Sequence, residues 1–125
     1  MTTTVVTKYR GTKEYLLVYS KLLTAARYKG TVTYQEVAQI MGLPTSGNFM
    51  GTEVGHLLGQ IPEDEHRNGR PILSAIAIGV SGMPGSGFFE LARSLGKLAG
   101  TRPEDERLFL EREKATVYST LQSSR

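Results

Sequence analysis

The run Gly30-Thr31-Val32-Thr33-Tyr34-Gln35-Glu36-Val37-Ala38-Gln39-Ile40-Met41-Gly42-Leu43-Pro44 decides how this chain is read. Thr33 followed by Glu36 has the form of a capping box, in which each side chain takes the other's free backbone N–H at a helix start. Val37, Ile40 and Met41 then give a short helix one apolar face. Gly42 ends it, and Pro44 blocks its continuation. Thr45-Ser46-Gly47-Asn48 forms a turn, and a further helix is expected from Phe49 to Ile61. Met50, Val54, Leu57, Leu58 and Ile61 are its apolar positions.

Upstream, Thr12 caps a helix expected over Lys13–Tyr28, with Leu16, Tyr19, Leu23 and Ala26 at helical spacing and Tyr15, Leu22 and Tyr28 on the flanks of that face. Gly30 is expected to stop that helix in the left-handed conformation. Downstream, Pro62–Pro71 reads as a polar, solvated loop. Ile72–Val80 reads as a strand buried mainly on one face, because Ile72, Ser74, Ile76, Ile78 and Val80 alternate with smaller residues and Leu73. Ser81–Gly87 has the composition of a turn, and Phe88–Leu95 that of a helix ending near Gly96. Thr101 and Glu104 form another capping-box pattern before a last helix that starts near Pro103. The apolar residues of that helix do not make one stripe, which suits either packing on the core or binding of a partner.

This order predicts an α+β fold, a winged helix-turn-helix with an additional C-terminal helix. Residues 1–11 form an N-terminal arm, 12–97 the winged-helix domain, and 98–125 a linker and the last helix. The 125 residues suit one domain, and the chain has no cysteine. A disulfide framework, a thiolate metal site and a cysteine nucleophile are thereby excluded. No apolar run is long enough to span a bilayer, and the start lacks the pattern of a secretory signal. A cytoplasmic location is expected, with no membrane partner.

The stretch from Gly30 to Gly55 resembles the DNA-binding domain of alkylguanine-DNA alkyltransferases and alkyltransferase-like proteins. The residues that carry the likeness are Gly30-Thr31-Val32-Thr33-Tyr34-Gln35-Glu36-Val37-Ala38, Gly42-Leu43-Pro44 and Val54-Gly55, and it extends over about residues 30–80. The family shows a similar G-x-V-x-T-Y-G-x-I-A run, then G-x-P and R-A-V-G. The resemblance implies that Pro71 matches the proline of the family's Pro-Cys-His-Arg segment. It also implies that Tyr34 contacts the nucleic-acid backbone near a flipped nucleotide. Four positions depart from the pattern. Ile72 stands where the alkyl-accepting cysteine would be, Leu73 and Ser74 replace the His and Arg, and Thr52 replaces a helix-borne arginine. Alkyl transfer needs the thiolate, so the resemblance does not extend to that reaction. Loss of the arginine removes the family's way of filling the gap left by a flipped base.

The net charge of +3 is unevenly spread. Residues 1–29 hold six Lys/Arg against one Glu, and residues 30–66 hold five Asp/Glu with no Lys or Arg. Residues 67–102 return to five Lys/Arg against one Glu. An anionic partner would explain this, and so would chance clustering of surface charge. Gly51, Gly55 and Gly59 recur every four residues on the helix after the turn. Either another helix packs closely there, or a nucleic-acid backbone or a partner approaches. The Gly82–Gly87 loop precedes a helix, so the amides of Gly85, Ser86 and Gly87 are candidates to cradle a phosphate, although the Gly-Lys-Ser/Thr ending of a nucleotide loop is absent. The plainer role is a turn that needs glycine. His56, Glu63, Asp64, Glu65 and His66 have no metal-ligand spacing, and no Gly-x-Ser-x-Gly elbow occurs. No metal and no cofactor are expected.

The sequence therefore points to a non-enzymatic winged-helix protein binding nucleic acid, DNA in the first instance, within a defence, repair or regulatory complex, as monomer or homodimer. Tyr34, Gln35, Asn48 and Thr52 are the expected base- or backbone-facing residues. Lys29, Arg67, Arg70 and Arg93 are the expected phosphate contacts. The helix after the turn offers no Lys or Arg, which weakens major-groove reading. The alternative is a protein–protein adaptor whose winged helix has lost base reading.

Overall fold

The structure is a computed structural model and describes residues 9–121. Of the expected N-terminal arm, residues 1–8 lie outside the described residues. Helix α1 (Lys13–Arg27) begins at Thr12, whose hydroxyl accepts the Tyr15 N–H at 3.1 Å. Its buried face is Val18, Leu22 and Ala26, with Tyr15 and Tyr19 partly buried beside them. Of the expected residues, Leu22 and Ala26 are buried and Tyr15, Tyr19 and Leu23 partly so, whereas Leu16 and Tyr28 are exposed at 61% and 73%; the face is centred nearer Val18. Tyr15, Val18, Tyr19, Leu22 and Ala26 also recur at helical spacing. That face wins because it brings two tyrosine hydroxyls to the carboxylates of a neighbouring helix.

The end of α1 also differs from expectation. Lys29, not Gly30, takes the left-handed conformation, with φ +60°. The Gly30 N–H reaches Ala25 O at 2.7 Å and the Lys29 N–H reaches Ala26 O at 3.1 Å. These are the two bonds of a Schellman end, which places Lys29 at its left-handed position.

Strand β1 (Val32–Thr33) leads into helix α2 (Tyr34–Met41). Both halves of the capping box form, Glu36 N to Thr33 Oγ1 at 3.0 Å and Thr33 N to Glu36 Oε1 at 2.8 Å. Gly42 follows with φ +76°. Helix α3 runs from Asn48 to Arg67, well past the expected end, and contains Pro62. The expected polar loop is thus helical through its acidic run. Proline removes a helix hydrogen bond, yet here it is fully buried and the turn after it is held from outside. Arg10 Nε bonds Asp64 Oδ1 at 3.0 Å, Tyr15 bonds Asp64, and Tyr19 bonds the buried Glu65.

Residues 72–80 also depart from the expected strand. Leu73–Ile76 is a 3-10 turn, followed by strand β2 (Ala77–Ile78). Strand β2 pairs in parallel with β1, Val32 opposite Ala77 and Thr33 opposite Ile78. Every residue from Ile72 to Ala77 is buried, so there is no exposed face to alternate with. The Ile72 N–H goes to the Glu113 carboxylate at 2.7 Å and not to a sheet. Among the described residues no antiparallel hairpin forms, and the only strand pairing is this parallel one. A parallel pair requires a crossover, which α2 and α3 supply.

Helices α4 (Ser86–Ser94) and α5 (Pro103–Leu121) complete the described chain. Helix α5 starts at Pro103, as expected, but its capping contact is Arg102 with Asp105 and not Thr101 with Glu104. The Asp105 carboxylate takes the Arg102 N–H at 3.1 Å. Two apolar clusters result. One gathers α1, α2, α3 and the 3-10 turn, and the other holds Ile72, Phe88, Phe89 and Ala92 with Leu98. Helix α5 serves both, Phe109 and Leu110 in the second and Val117 in the first, which is why it has no single stripe. The described fold is mostly helical with one small sheet, within the α+β class. No described helix is long and apolar enough to cross a membrane.

Candidate functional site

Helix α3 carries two adjacent stripes at four-residue spacing. Gly51, Gly55 and Gly59 form a bare backbone strip, and Thr52, His56 and Gln60 run beside it, with Glu63 three residues further on. Both border a cavity of about 580 Å³ that is closed by Tyr34, the start of α4 and Ser74. A Cβ placed on any of the three glycines would meet nothing within 4 Å. The glycines therefore do not serve close packing against another helix. Each weakens an exposed helix by about 1 kcal/mol relative to Ala, and what they provide is open space above the backbone.

Tyr34 forms one wall. Its hydroxyl oxygen accepts the Gly85 N–H at 2.6 Å, which pins the loop before α4. The loop passes so close that a Cβ on Gly85 would lie 3.3 Å from that oxygen, and one on Gly79 would lie 3.6 Å from the ring. Burial pushes the Tyr34 hydroxyl above its usual range, against a smaller lowering by the Gly85 N–H. It stays neutral, so its proton remains available to an acceptor in the cavity.

The polar groups at the cavity are held with care. The Gln60 Oε1 accepts the Tyr9 N–H at 3.0 Å, and Glu63 Oε1 accepts from Arg10 Nη2 at 2.8 Å. The buried Glu53 carboxylate accepts the Tyr9 hydroxyl and lies 3.7 Å from His56 Nδ1. That nitrogen is buried with no hydrogen-bond partner. Ser74 is only 5% exposed and lines the cavity, and its hydroxyl makes no hydrogen bond among the described residues. Helix α4 opens at Gly85 without a side-chain cap, and Ser86 and Gly87 of its first turn line the same space. First-turn amides have no carbonyl one turn back, so they attract acceptors. Among the described residues no Lys or Arg lines the cavity.

The structure thus joins Tyr34, Thr52, Gly85, Ser86 and Gly87 in one site. Asn48 is exposed at the first position of α3, one turn before Thr52, and Gln35 is half-buried in the first turn of α2. Lys29 is exposed at the end of α1. Three of the expected phosphate contacts lie away from the cavity in ion pairs: Arg67 with Asp64 at 3.0 Å, Arg70 with Glu65 at 2.7 Å, and Arg93 with Glu106 at 2.7 Å. Phe49 is 60% exposed whereas Met50 is buried. His56, Gln60, Glu63 and Ser74 are not among the expected nucleic-acid contacts, although the sequence offers His56 and Gln60 on the same helix as Thr52. The available signals were a polar residue recurring beside each glycine, and Ser74 as the one hydroxyl in the apolar run from Ile72 to Val80. Ile72, at the position the resemblance gives to a nucleophile, is fully buried and apolar.

Comparison with protein-family models, with curated proteins and with solved structures finds no match to this chain.

Proposed function

We propose that this chain is a non-catalytic, helix-turn-helix protein of winged-helix descent that binds DNA and lodges an unstacked base in the cavity between α3 and α4. One observation carries the reading: the glycine strip of α3 faces open space where a flat ring can lie against helix backbone. Hydroxyls of Tyr34, Ser74 and Ser86 and the His56 ring surround that space and suit the edge of a base. The α2–turn–α3 order supports a helix-turn-helix, with the loop over residues 79–85 in the place of a wing. Reading of the major groove by α3 is disfavoured, since that helix brings no cation to the phosphates until Arg67 at its last position.

The adaptor reading draws on a different observation. Phe49, Val80 and Met83 are exposed at 60%, 94% and 39%, which would serve a protein partner.

The test is a DNA duplex carrying one 2-aminopurine in a bulge, whose fluorescence rises when the base leaves the stack. Binding with a rise in fluorescence, and loss of both in Gly55→Leu, is the expected result. Equal binding by a folded Gly55→Leu protein would remove the base-lodging reading. No binding by either protein would leave the adaptor.

A further inference from the structure

A second concavity, of about 410 Å³, lies beyond the end of α3 and against α5, bordered by His66, Arg70, Lys97, Thr116 and Thr120. We propose that this groove is an oxyanion site that takes one phosphate group. It is separate from the cavity above and does not depend on an unstacked base.

The argument begins with the two cations. Arg70 Nε lies 2.7 Å from Glu65 Oε1, and that carboxylate is 3% exposed. Lys97 Nζ lies 2.7 Å from Glu113 Oε2, which is 9% exposed. In both pairs the acid is buried and the cation is the outer member, Arg70 at 45% and Lys97 at 24% exposure. Each acid anchors its cation by one N–H, and Arg70 gives a second to the Tyr19 hydroxyl. A guanidinium has five N–H donors and an ammonium three, so donors remain on both groups. Side chains already fixed from inside lose little freedom when a ligand binds.

The groove is also poor in competing acceptors. No Asp or Glu lines it. The backbone carbonyls that end α3 are occupied: Asn68 N donates to Asp64 O at 3.2 Å, Gly69 N to His66 O at 3.0 Å and Arg70 N to Glu65 O at 2.8 Å. Thr116 points its hydroxyl proton at Arg112 O, 2.9 Å away, whereas the Thr120 hydroxyl is exposed. A concavity with surplus N–H donors and few open acceptors fits a tetrahedral oxyanion, and Arg with Lys is the usual pair for phosphate.

Inorganic phosphate and a nucleic-acid backbone present this group equally, and the experiment separates them. The full chain is titrated with inorganic phosphate while the Gly69 and Lys97 amides are followed by NMR, and its affinity for a DNA duplex is measured across a salt series. Both are repeated with Thr120→Glu, which puts a negative charge in the groove and leaves both ion pairs intact. A saturable phosphate shift weakened about tenfold by Thr120→Glu, with an unchanged DNA salt slope, assigns the site to a free anion. A DNA salt slope reduced by about one in the variant assigns it to the backbone. Phosphate shifts and DNA affinity that are both absent, or both indifferent to Thr120→Glu, overturn the proposal. Lys97→Met is the second variant, and a folded Lys97→Met protein that binds phosphate as the parent does overturns it too.

Discussion

Lys29 holds a left-handed conformation at φ +60° because the Schellman end of α1 demands it there, one residue before the glycine that is free to adopt it. That conformation costs a residue with a Cβ roughly 1 kcal/mol. Lys29→Gly relieves it, partly offset by the greater freedom of glycine in the unfolded chain. The variant is expected to gain about 0.5 kcal/mol in urea denaturation. The same protein tests the charge, since weaker DNA binding at unchanged fold would give Lys29 a phosphate. A second expectation concerns pH. Burial raises the Asp64 carboxyl, but hydrogen bonds from Tyr15, Arg10 and Arg67 outweigh it and hold Asp64 below its usual value. A depressed acid stabilises the fold above its unfolded pKa of about 3.9 and loses that contribution as pH falls further. Tyr9 behaves oppositely. Burial, then Glu53, push it up to about 12. Its contribution is complete below the unfolded value of about 10 and vanishes as pH rises through 12. Tyr15 and Tyr19 are raised in the same direction, chiefly by burial. Stability should therefore hold from pH 5 to 9, fall below about 4, and fall again above about 10. An Asp64→Asn protein with an unaltered acid limb in a pH series of urea midpoints would contradict the first half.

At the scale of elements, what was legible in the sequence is what is decided locally. Thr33 and Glu36 cap α2 by bonds that span three residues, and Gly42 ends it within its own turn. The length of α3 was hidden because its last turns are held by residues about fifty positions away, Arg10, Tyr15 and Tyr19. Pro62 pointed the other way, since proline usually marks a boundary. The segment from Ile72 was misread because burial on all sides erases the alternation by which a strand or a turn is told. For the site, the Gly51–Gly55–Gly59 spacing was plain, but whether a glycine meets a helix or a void is a fact of tertiary structure. That distinction yields a prediction. Gly55→Ala adds a Cβ that meets nothing within 4 Å. It should raise stability by up to about 1 kcal/mol through helix propensity. If the strip is kept bare for a ligand, the same substitution weakens binding. Denaturation midpoint and affinity would then move in opposite senses, whereas a purely structural glycine would make Ala destabilising.

The whole molecule is organised by pairing charges that are far apart in sequence. Basic residues at its start and acids in its middle look like a polar surface in sequence, yet Arg10 joins Glu63 and Asp64 across the fold. Glu113 does the corresponding work for the second apolar cluster. Its buried carboxylate accepts the Ile72 N–H and the Lys97 ammonium, both at 2.7 Å, and its neighbours on α5 enter opposite clusters. Ile72 is fully buried, so without that carboxylate its N–H has no water to turn to. An unsatisfied buried amide costs about 1–3 kcal/mol, and an unpaired, partly buried cation adds to this. Glu113→Ala should therefore destabilise by about 3 kcal/mol. Glu113→Gln keeps an oxygen for Ile72 but gives up the ion pair, so it should lie between the two. The location of the loss matters as much as its size. Because both bonds of Glu113 go to the α4 side, to Ile72 of that cluster and to Lys97 just after α4, amide exchange in Glu113→Ala should quicken more at Phe89 and Ala92 of α4 than at Leu22 of α1. Equal acceleration at all three would mean that the two clusters unfold as one unit and that Glu113 merely adds to a single core.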